Sequence, residues 1–114
     1  LTGSNVTTVP YTTFNTQDYV AAADYVITKA GWGTVAECLL SRKPMALFAR
    51  DSVLEDRTTI SLLEQQGLAL KITYEQLADL PQLLERLARL RKPEPSAFTN
   101  AAAEIASRLL ALTV

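Results

Sequence analysis

The chain has 114 residues, of which 48% are hydrophobic and 20% are charged, and its formal net charge is −1. These values predict one globular domain, and they argue against a disordered chain and against a nucleic-acid binder, which usually has a basic surface. The single cysteine, Cys38, and the lack of histidine exclude an internal disulfide, a histidine general base and a histidine-ligated zinc site within this chain. We expect no metal site, and we expect a cytoplasmic location. We expect no transmembrane segment, since no apolar run approaches about 20 residues.

The hydrophobic pattern predicts strands that alternate with helices. Apolar or β-branched runs predict strands at 6–9, 25–28, 45–49 and 68–72. Periodic or alanine-rich runs predict helices at 17–23, 33–41, from 52–56 to 66, 81–92 and 97–112, with a helical turn at 74–79. The predicted fold class is α/β, with an open parallel sheet of about four strands and helices on both faces, a Rossmann-like half.

Several residues mark helix ends and the extent of the domain. Ser52 with Glu55 would make a capping box for the third long helix, or Asp56 would cap it, and Gly67 lies where a left-handed C-terminal residue belongs. Doubly wound domains usually have more strands, and the first residue is Leu1 rather than Met. We therefore expect residues 1–114 to be a single partial domain from the C-terminal part of a longer chain.

The segment TKAGWGTVAECL (28–39) joins a predicted strand to a predicted helix through two glycines. Ligands of an open parallel sheet bind beyond the carboxyl ends of its strands, where this segment lies. Gly31 and Gly33 would let the backbone turn tightly and approach a ligand. The backbone amides of the first helical turn would then form an anion site. Thr34 adds a hydroxyl group, and the Glu37 carboxylate could accept hydrogen bonds from the vicinal hydroxyls of a ribose.

A structural interpretation of this segment competes with the binding interpretation. Thr34 and Glu37 have the spacing of a capping box, in which they would satisfy the amides of their own helix. The glycine pattern is neither the dinucleotide fingerprint nor a P-loop. Trp32 could stack on a ligand ring or cover an interface with another domain, and Cys38 is expected to be a buried, inert thiol.

Residues 23–45, ADYVITKAGWGTVAECLLSRKPM, resemble the signature of the C-terminal domain of the GT-B glycosyltransferases of family 28. The resemblance covers roughly residues 5–110, and its central part is similar to a subgroup that includes domains found next to sugar kinases. It implies the donor-binding portion of an enzyme that transfers a hexosyl group from a UDP-sugar to an acceptor, with no separate cofactor.

The resemblance also implies a set of substrate-binding residues, whereas it assigns no catalytic residue. These residues are Tyr11, Thr12, Gly31, Trp32, Gly33, Thr34, Glu37, Arg50, Asp51 and Glu55. The turn at 31–34 would contact the diphosphate, Glu37 the ribose, and the segment at 11–12 would lie beside the base. The three residues at 50, 51 and 55 would face the sugar or the phosphates.

Two departures from the family pattern leave alternatives open. Thr58 or Thr59 stands where a glutamine often contacts the sugar, and the N-terminal half of the architecture, with its acceptor site, is absent. We therefore expect this chain to be inactive alone and to need an acceptor domain in cis or as a separate subunit. The alternatives are a non-catalytic nucleotide-sugar-binding or regulatory module, and a sugar-nucleotide epimerase or hydrolase on the same scaffold. An exposed sheet edge also leads us to expect a homodimer.

Overall fold

A computed structural model of the chain describes residues 3–50, 52–92, 94 and 101–112. Three strands form one parallel sheet in the order β1–β2–β3: β1 (Val26–Lys29), β2 (Met45–Phe48) and β3 (Ala69–Ile72). The helices are α1 (Thr16–Ala22), α2 (Trp32–Leu40), α3 (Leu54–Gln65), α4 (Leu80–Ala88) and α5 (Ala102–Ala111), with a 3-10 helix at Tyr74–Asp79. The predicted α/β class and the open parallel sheet are confirmed, with three strands in the described residues rather than about four.

The three strands are aligned at the same level. Val26 pairs with Met45, and Met45 pairs with Ala69, so the strands begin together. Beyond the end of β1, the Ala30 N–H donates to the Phe48 carbonyl oxygen at 3.2 Å, which extends the ladder by one residue. The segments that follow β1 and β2 therefore leave the sheet side by side at its carboxyl edge.

Successive strand residues point to opposite sides of the sheet, and the crossover helices α2 and α3 cover one face while α4 covers the other. One core joins buried residues of β2 to α2 and α3; it includes Val35, Cys38, Met45, Leu47, Ile60 and Leu63. The other core joins β2 and β3 to α4 and includes Ala46, Ile72, Leu83 and Leu87. A parallel sheet buried on both sides explains why the central strand β2 is continuously apolar rather than alternating.

Two helices end with the same pattern of backbone hydrogen bonds. After α3, Gly67 has φ 71°, and the Leu68 N–H donates to the Leu63 carbonyl oxygen at 3.0 Å, so the predicted left-handed C-terminal glycine is confirmed. After α2, Arg42 takes the same conformation with φ 58°, and the Lys43 N–H donates to the Cys38 carbonyl oxygen at 2.8 Å. Arg42 was not expected in this role, because arginine rarely adopts a positive φ.

The predicted strand at 6–9 does not form, and Val6 is 42% exposed. In a doubly wound sheet, the strand before the switch point lies at the far edge and pairs with a strand from earlier in the chain. The described residues contain no such partner, and a lone short strand is not stable in water. The predicted cap of α3 is also wrong, because its N-cap residue is Val53 and makes no side-chain cap.

The two ends of the described chain extend away from the sheet. The radius of gyration is 16.3 Å, compared with about 13 Å for a compact domain of this length. Helix α5 confirms part of the helix predicted at 97–112, and all its residues are exposed, including Ile105 and Leu109 of its predicted apolar face. The remainder of that predicted helix, at 97–100, lies outside the described residues.

No helix in the described part of the chain is long and apolar enough to cross a membrane.

Candidate functional site

The amino end of α2 lies directly beyond the carboxyl end of β1. Ala30 is buried, Gly31 is the N-cap with φ −71° and ψ 128°, and the helix begins at Trp32, one residue earlier than predicted. The Val35 N–H donates to the Gly31 carbonyl oxygen at 3.0 Å and closes the first turn. A glycine N-cap has no side chain, and α2 has no side-chain cap, so the amides of its first turn remain available to an anion.

The capping-box interpretation of Thr34 and Glu37 is wrong. Thr34 is the third residue of α2 rather than its N-cap, so it cannot cap the amide three residues further on. A capping box does form elsewhere, where Thr73 and Gln76 satisfy each other's backbone amides at the start of the 3-10 helix. The hydroxyl and carboxylate of α2 are therefore not used to close their own helix.

The glycines do not serve the tight turn that the sequence predicts. Gly31 is extended and Gly33 is helical, and neither has the positive φ that favours glycine. A Cβ atom at Gly31 would lie 3.7 Å from Lys29 Cε, an ordinary contact that places the Lys29 stem beside the start of α2. A Cβ atom at Gly33 would meet nothing within 4 Å, so the space over the first turn is open.

Glu37 and Trp32 lie on different sides of this opening. Glu37 is half-buried on α2, one turn beyond Gly33, and is not enclosed by the protein. Trp32 is 67% exposed, so it does not belong to the core. With Thr58 and Thr59 of α3, its ring lines a mostly apolar groove of about 150 Å³ between the two helices. The structure thus brings Trp32 to the threonines that stand at the position expected to contact a sugar.

Arg50 follows β2 and is held by a buried carboxylate. Its Nε donates to Asp56 Oδ2 at 2.8 Å and its Nη2 donates to Asp56 Oδ1 at 2.9 Å, so the pair is bidentate. The Arg50 backbone N–H also donates to Asp56 Oδ2, at 2.8 Å. The hydrogen bonds from Arg50 hold the pKa of Asp56 at about 2, against the opposing effect of its burial, with a smaller contribution from the Lys29 charge.

The pairing of Arg50 with Asp56 was missed from the sequence, which predicts Asp56 only as an alternative cap of α3. No pattern in the sequence marks this pair, because only the burial of position 56, a property of the fold, shows that its carboxylate requires a cation and hydrogen-bond donors. Of the residues predicted beside Arg50, Glu55 is exposed in the first turn of α3, and Asp51 lies outside the described residues.

The predicted base-binding segment stands apart from these groups. Tyr11 is 100% exposed and therefore touches neither α2 nor Arg50, and Thr12 is exposed in the same turn, which the Thr13 N–H closes onto the Pro10 carbonyl oxygen at 3.0 Å. Their position beside a base stays a prediction. Among the described residues, no group of three or more acidic, cysteine or histidine side chains is placed to hold a metal ion.

An open parallel sheet with helices on both faces, and with polar groups beyond the strand carboxyl ends, defines an α/β domain of the Rossmann-like type. The profile of the glycosyltransferase family 28 C-terminal domain matches residues 1–112. The chain belongs to this family. Comparisons with curated proteins and with solved structures gave no significant match.

Proposed function

We propose that this chain is the donor-binding part of a glycosyltransferase, which holds a UDP-sugar while its hexosyl group passes to an acceptor. Family membership supports the reaction class. The observation that carries the location of the site is the open space over Gly33. A glycine in a helix is less favourable than alanine by roughly 0.5–1 kcal/mol, and nothing in the described fold requires one there. Close approach of a ligand to the backbone accounts for it.

The donor's diphosphate would lie over the amino end of α2. The amides of the first turn and the Thr34 hydroxyl would donate to its oxygens, and the helix dipole favours their negative charge. Lys29 lies beside the same turn and would add a cation. As the bond between the sugar and the diphosphate breaks, these fixed donors would stabilise the charge that develops on the leaving group.

The remaining groups would select the two ends of the donor. The half-buried Glu37 carboxylate would accept hydrogen bonds from the ribose hydroxyls, one turn away from the phosphates. The exposed Trp32 ring offers an apolar face to a hexose, and the hydroxyls of Thr58 and Thr59 lie on the other side of the same groove. Sugar transfer would also need an acceptor domain, in cis or as a separate subunit, that closes over this edge.

The test is calorimetric titration of the full-length protein with UDP. We expect binding in the wild type and a loss of at least about tenfold in affinity in Glu37→Ala, which removes two hydrogen bonds to the ribose. Glu64→Ala is the matched control, because Glu64 is an exposed carboxylate near the other end of α3. Absence of UDP binding by the full-length wild type would overturn the proposal.

A second candidate is a nucleotide-sugar-binding module that has no transfer activity. It is favoured by Thr58 or Thr59, one of which stands where the family pattern often has a glutamine that contacts the sugar. The Thr58 hydroxyl donates at 3.5 Å to the Leu54 carbonyl oxygen. Product analysis with the full-length protein and a UDP-sugar distinguishes the outcomes. A new glycoside supports the transferase, an epimer or free sugar indicates other chemistry on the same scaffold, and unchanged donor indicates the binding module. Homodimer formation also stays a prediction.

A further inference from the structure

Asp56 is the only charged residue that is buried in the described part of the chain, with 1% of its surface exposed. A buried carboxylate is expensive unless cations and hydrogen bonds compensate it. Its position in the first turn of α3 does not explain it, because Val53 rather than Asp56 is the N-cap. The reason for its burial therefore lies in what it contacts.

The Asp56 carboxylate accepts three hydrogen bonds from Arg50. The bidentate contact fixes the plane of the guanidinium, and the third hydrogen bond fixes the Arg50 backbone. The loop between β2 and α3 is also closed on itself, since the Val53 N–H donates to the Arg50 carbonyl oxygen at 3.0 Å and the Asp56 N–H donates to the Val53 carbonyl oxygen at 3.2 Å. Asp56 thus holds both the main chain and the side chain of one residue.

Stability alone does not account for this arrangement. Apolar residues of similar volume often serve a fold as well as a buried ion pair does. Here only one partner is buried, because 44% of the Arg50 side chain is exposed at the carboxyl edge of the sheet. The contacts with Asp56 use the Nε donor and one Nη2 donor, two of the five N–H donors of a guanidinium.

We propose that Asp56 is a positioning residue of the donor site, which fixes Arg50 so that its guanidinium binds the diphosphate of a nucleoside diphosphate beside the amino end of α2. This inference rests on the proposed function. Arginine recognises phosphate through planar paired donors, and a guanidinium that is already fixed loses less conformational entropy on binding than a mobile one. One phosphate would accept hydrogen bonds from the α2 amides, and the other would accept them from the Arg50 guanidinium.

One further cation and one further carboxylate act on the ion pair. The Lys29 charge, at the end of β1, makes a small contribution to lowering the Asp56 pKa. Glu55, in the first turn of α3, is the acidic neighbour that acts on Arg50. The two carboxylates balance the two cations, so the attraction for the diphosphate comes from the α2 dipole and from the guanidinium donors of Arg50 that Asp56 does not use.

A double-mutant cycle with UDP tests the inference on the full-length protein. We expect Asp56→Asn and Arg50→Gln each to weaken UDP binding by about tenfold or more, as removal of an orienting partner usually does. The double variant should bind no more weakly than Arg50→Gln alone, because Asp56 acts only through Arg50. Asp56→Glu, which keeps the charge, should recover part of the affinity. Additive losses would instead show that Asp56 acts on binding independently of Arg50, and a purely structural role predicts no loss of UDP affinity in variants that are folded.

Thermal unfolding of each variant shows whether it is folded at the titration temperature. If Asp56→Asn does not fold, the charge-conserving Asp56→Glu and Arg50→Lys complete the cycle, and they must show the same coupling. UDP binding by the wild type with additive losses, or with no loss in the Asp56 variants, overturns the role of Asp56 but leaves the proposed function standing. No UDP binding by the wild type overturns both.

Discussion

Glu37 follows Gly33 by one turn on the same side of α2, so a half-buried carboxylate lies next to the open space over the first turn of the helix. The two residues suit a ligand with an anionic group and neighbouring hydroxyls. Neither is needed for packing, since Gly33 has no side chain and Glu37 is not part of either core. Stability and binding should therefore respond differently to substitution here.

Gly33→Ala should separate the two properties. Apart from its chain neighbours and the backbone of its own helix, the new methyl group meets no described atom within 4 Å. Alanine favours a helix over glycine by roughly 0.5–1 kcal/mol, so the free energy of unfolding should rise. The same methyl group would stand where the diphosphate approaches the amides, so UDP binding should fall by at least about tenfold. Urea unfolding and calorimetric titration of the same samples measure both effects.

Gly67→Ala is the matched control for this prediction. Gly67 has φ 71°, where a Cβ atom is strained, and it lies at the C-terminal end of α3 away from the site. We expect this variant to lose about 1 kcal/mol of stability and to keep its UDP affinity. If Gly33→Ala binds UDP with wild-type affinity, the diphosphate does not approach the backbone of α2 at this position.

Asp56 should make the stability of the domain fall at acidic pH. Its pKa is about 2 in the folded protein and 3.8 in the unfolded reference, so the folded state binds its proton less readily. The resulting stability is fully present above pH 3.8 and is lost as the pH falls through 2. Urea unfolding at a series of pH values should show this decrease for the wild type.

Asp56→Asn should flatten that decrease without removing it. The pKa of Glu75 is also lowered, first by a hydrogen bond from its own backbone, so Glu75 retains part of the pH dependence in the variant. Equal slopes for the wild type and the variant between pH 4 and 2 would contradict the assigned hydrogen bonds between Arg50 and Asp56.

Cys38 should report on unfolding through its thiol reactivity. It is completely buried, and burial raises its pKa to about 11, with a smaller contribution from the neighbouring Glu37 charge. The thiolate is the reactive form, so the native protein should react with an aromatic disulfide reagent at pH 8 only after it opens. Labelling should become rapid in concentrated urea, and Cys38→Ala gives the background. Rapid, complete labelling of the native protein would contradict the burial.

The parts of the fold that were predictable from sequence are those set by local pattern. Apolar runs located β1, β2 and β3 to within about two residues, and Gly67 marked the end of α3, because periodicity and left-handed glycines act over a few residues. The prediction of a strand at 6–9 was wrong, because its β-branched residues need a pairing partner to form a strand. The amino end of α2 was also found, although its glycines were expected to form a tight turn.

The contact between Arg50 and Asp56 was beyond the reach of the sequence. The two residues are six positions apart across a loop, and no periodic rule brings such positions together. Their pairing depends on how α3 packs on the sheet and which of its first residues is covered. Acidic residues at the start of a helix usually interact with the helix dipole or cap the helix. Asp56 was therefore interpreted as a cap rather than as a buried carboxylate.

Arg42 provides a last prediction, because it ends α2 in the conformation that glycine adopts after α3. A residue other than glycine with φ 58° is strained by roughly 1 kcal/mol, and the hydrogen bonds of this C-terminal motif come only from the backbone. We therefore expect Arg42→Gly to exceed Arg42→Ala, which removes the same side chain but keeps the positive φ, by up to about 1 kcal/mol in free energy of unfolding, measured by urea unfolding. Ser41→Gly is the matched control: Ser41 has φ −85° in the right-handed region, so glycine there should lower stability slightly. A stability gain from Ser41→Gly, or an Arg42→Gly protein no more stable than Arg42→Ala, would show that strain at Arg42 does not limit the stability of α2.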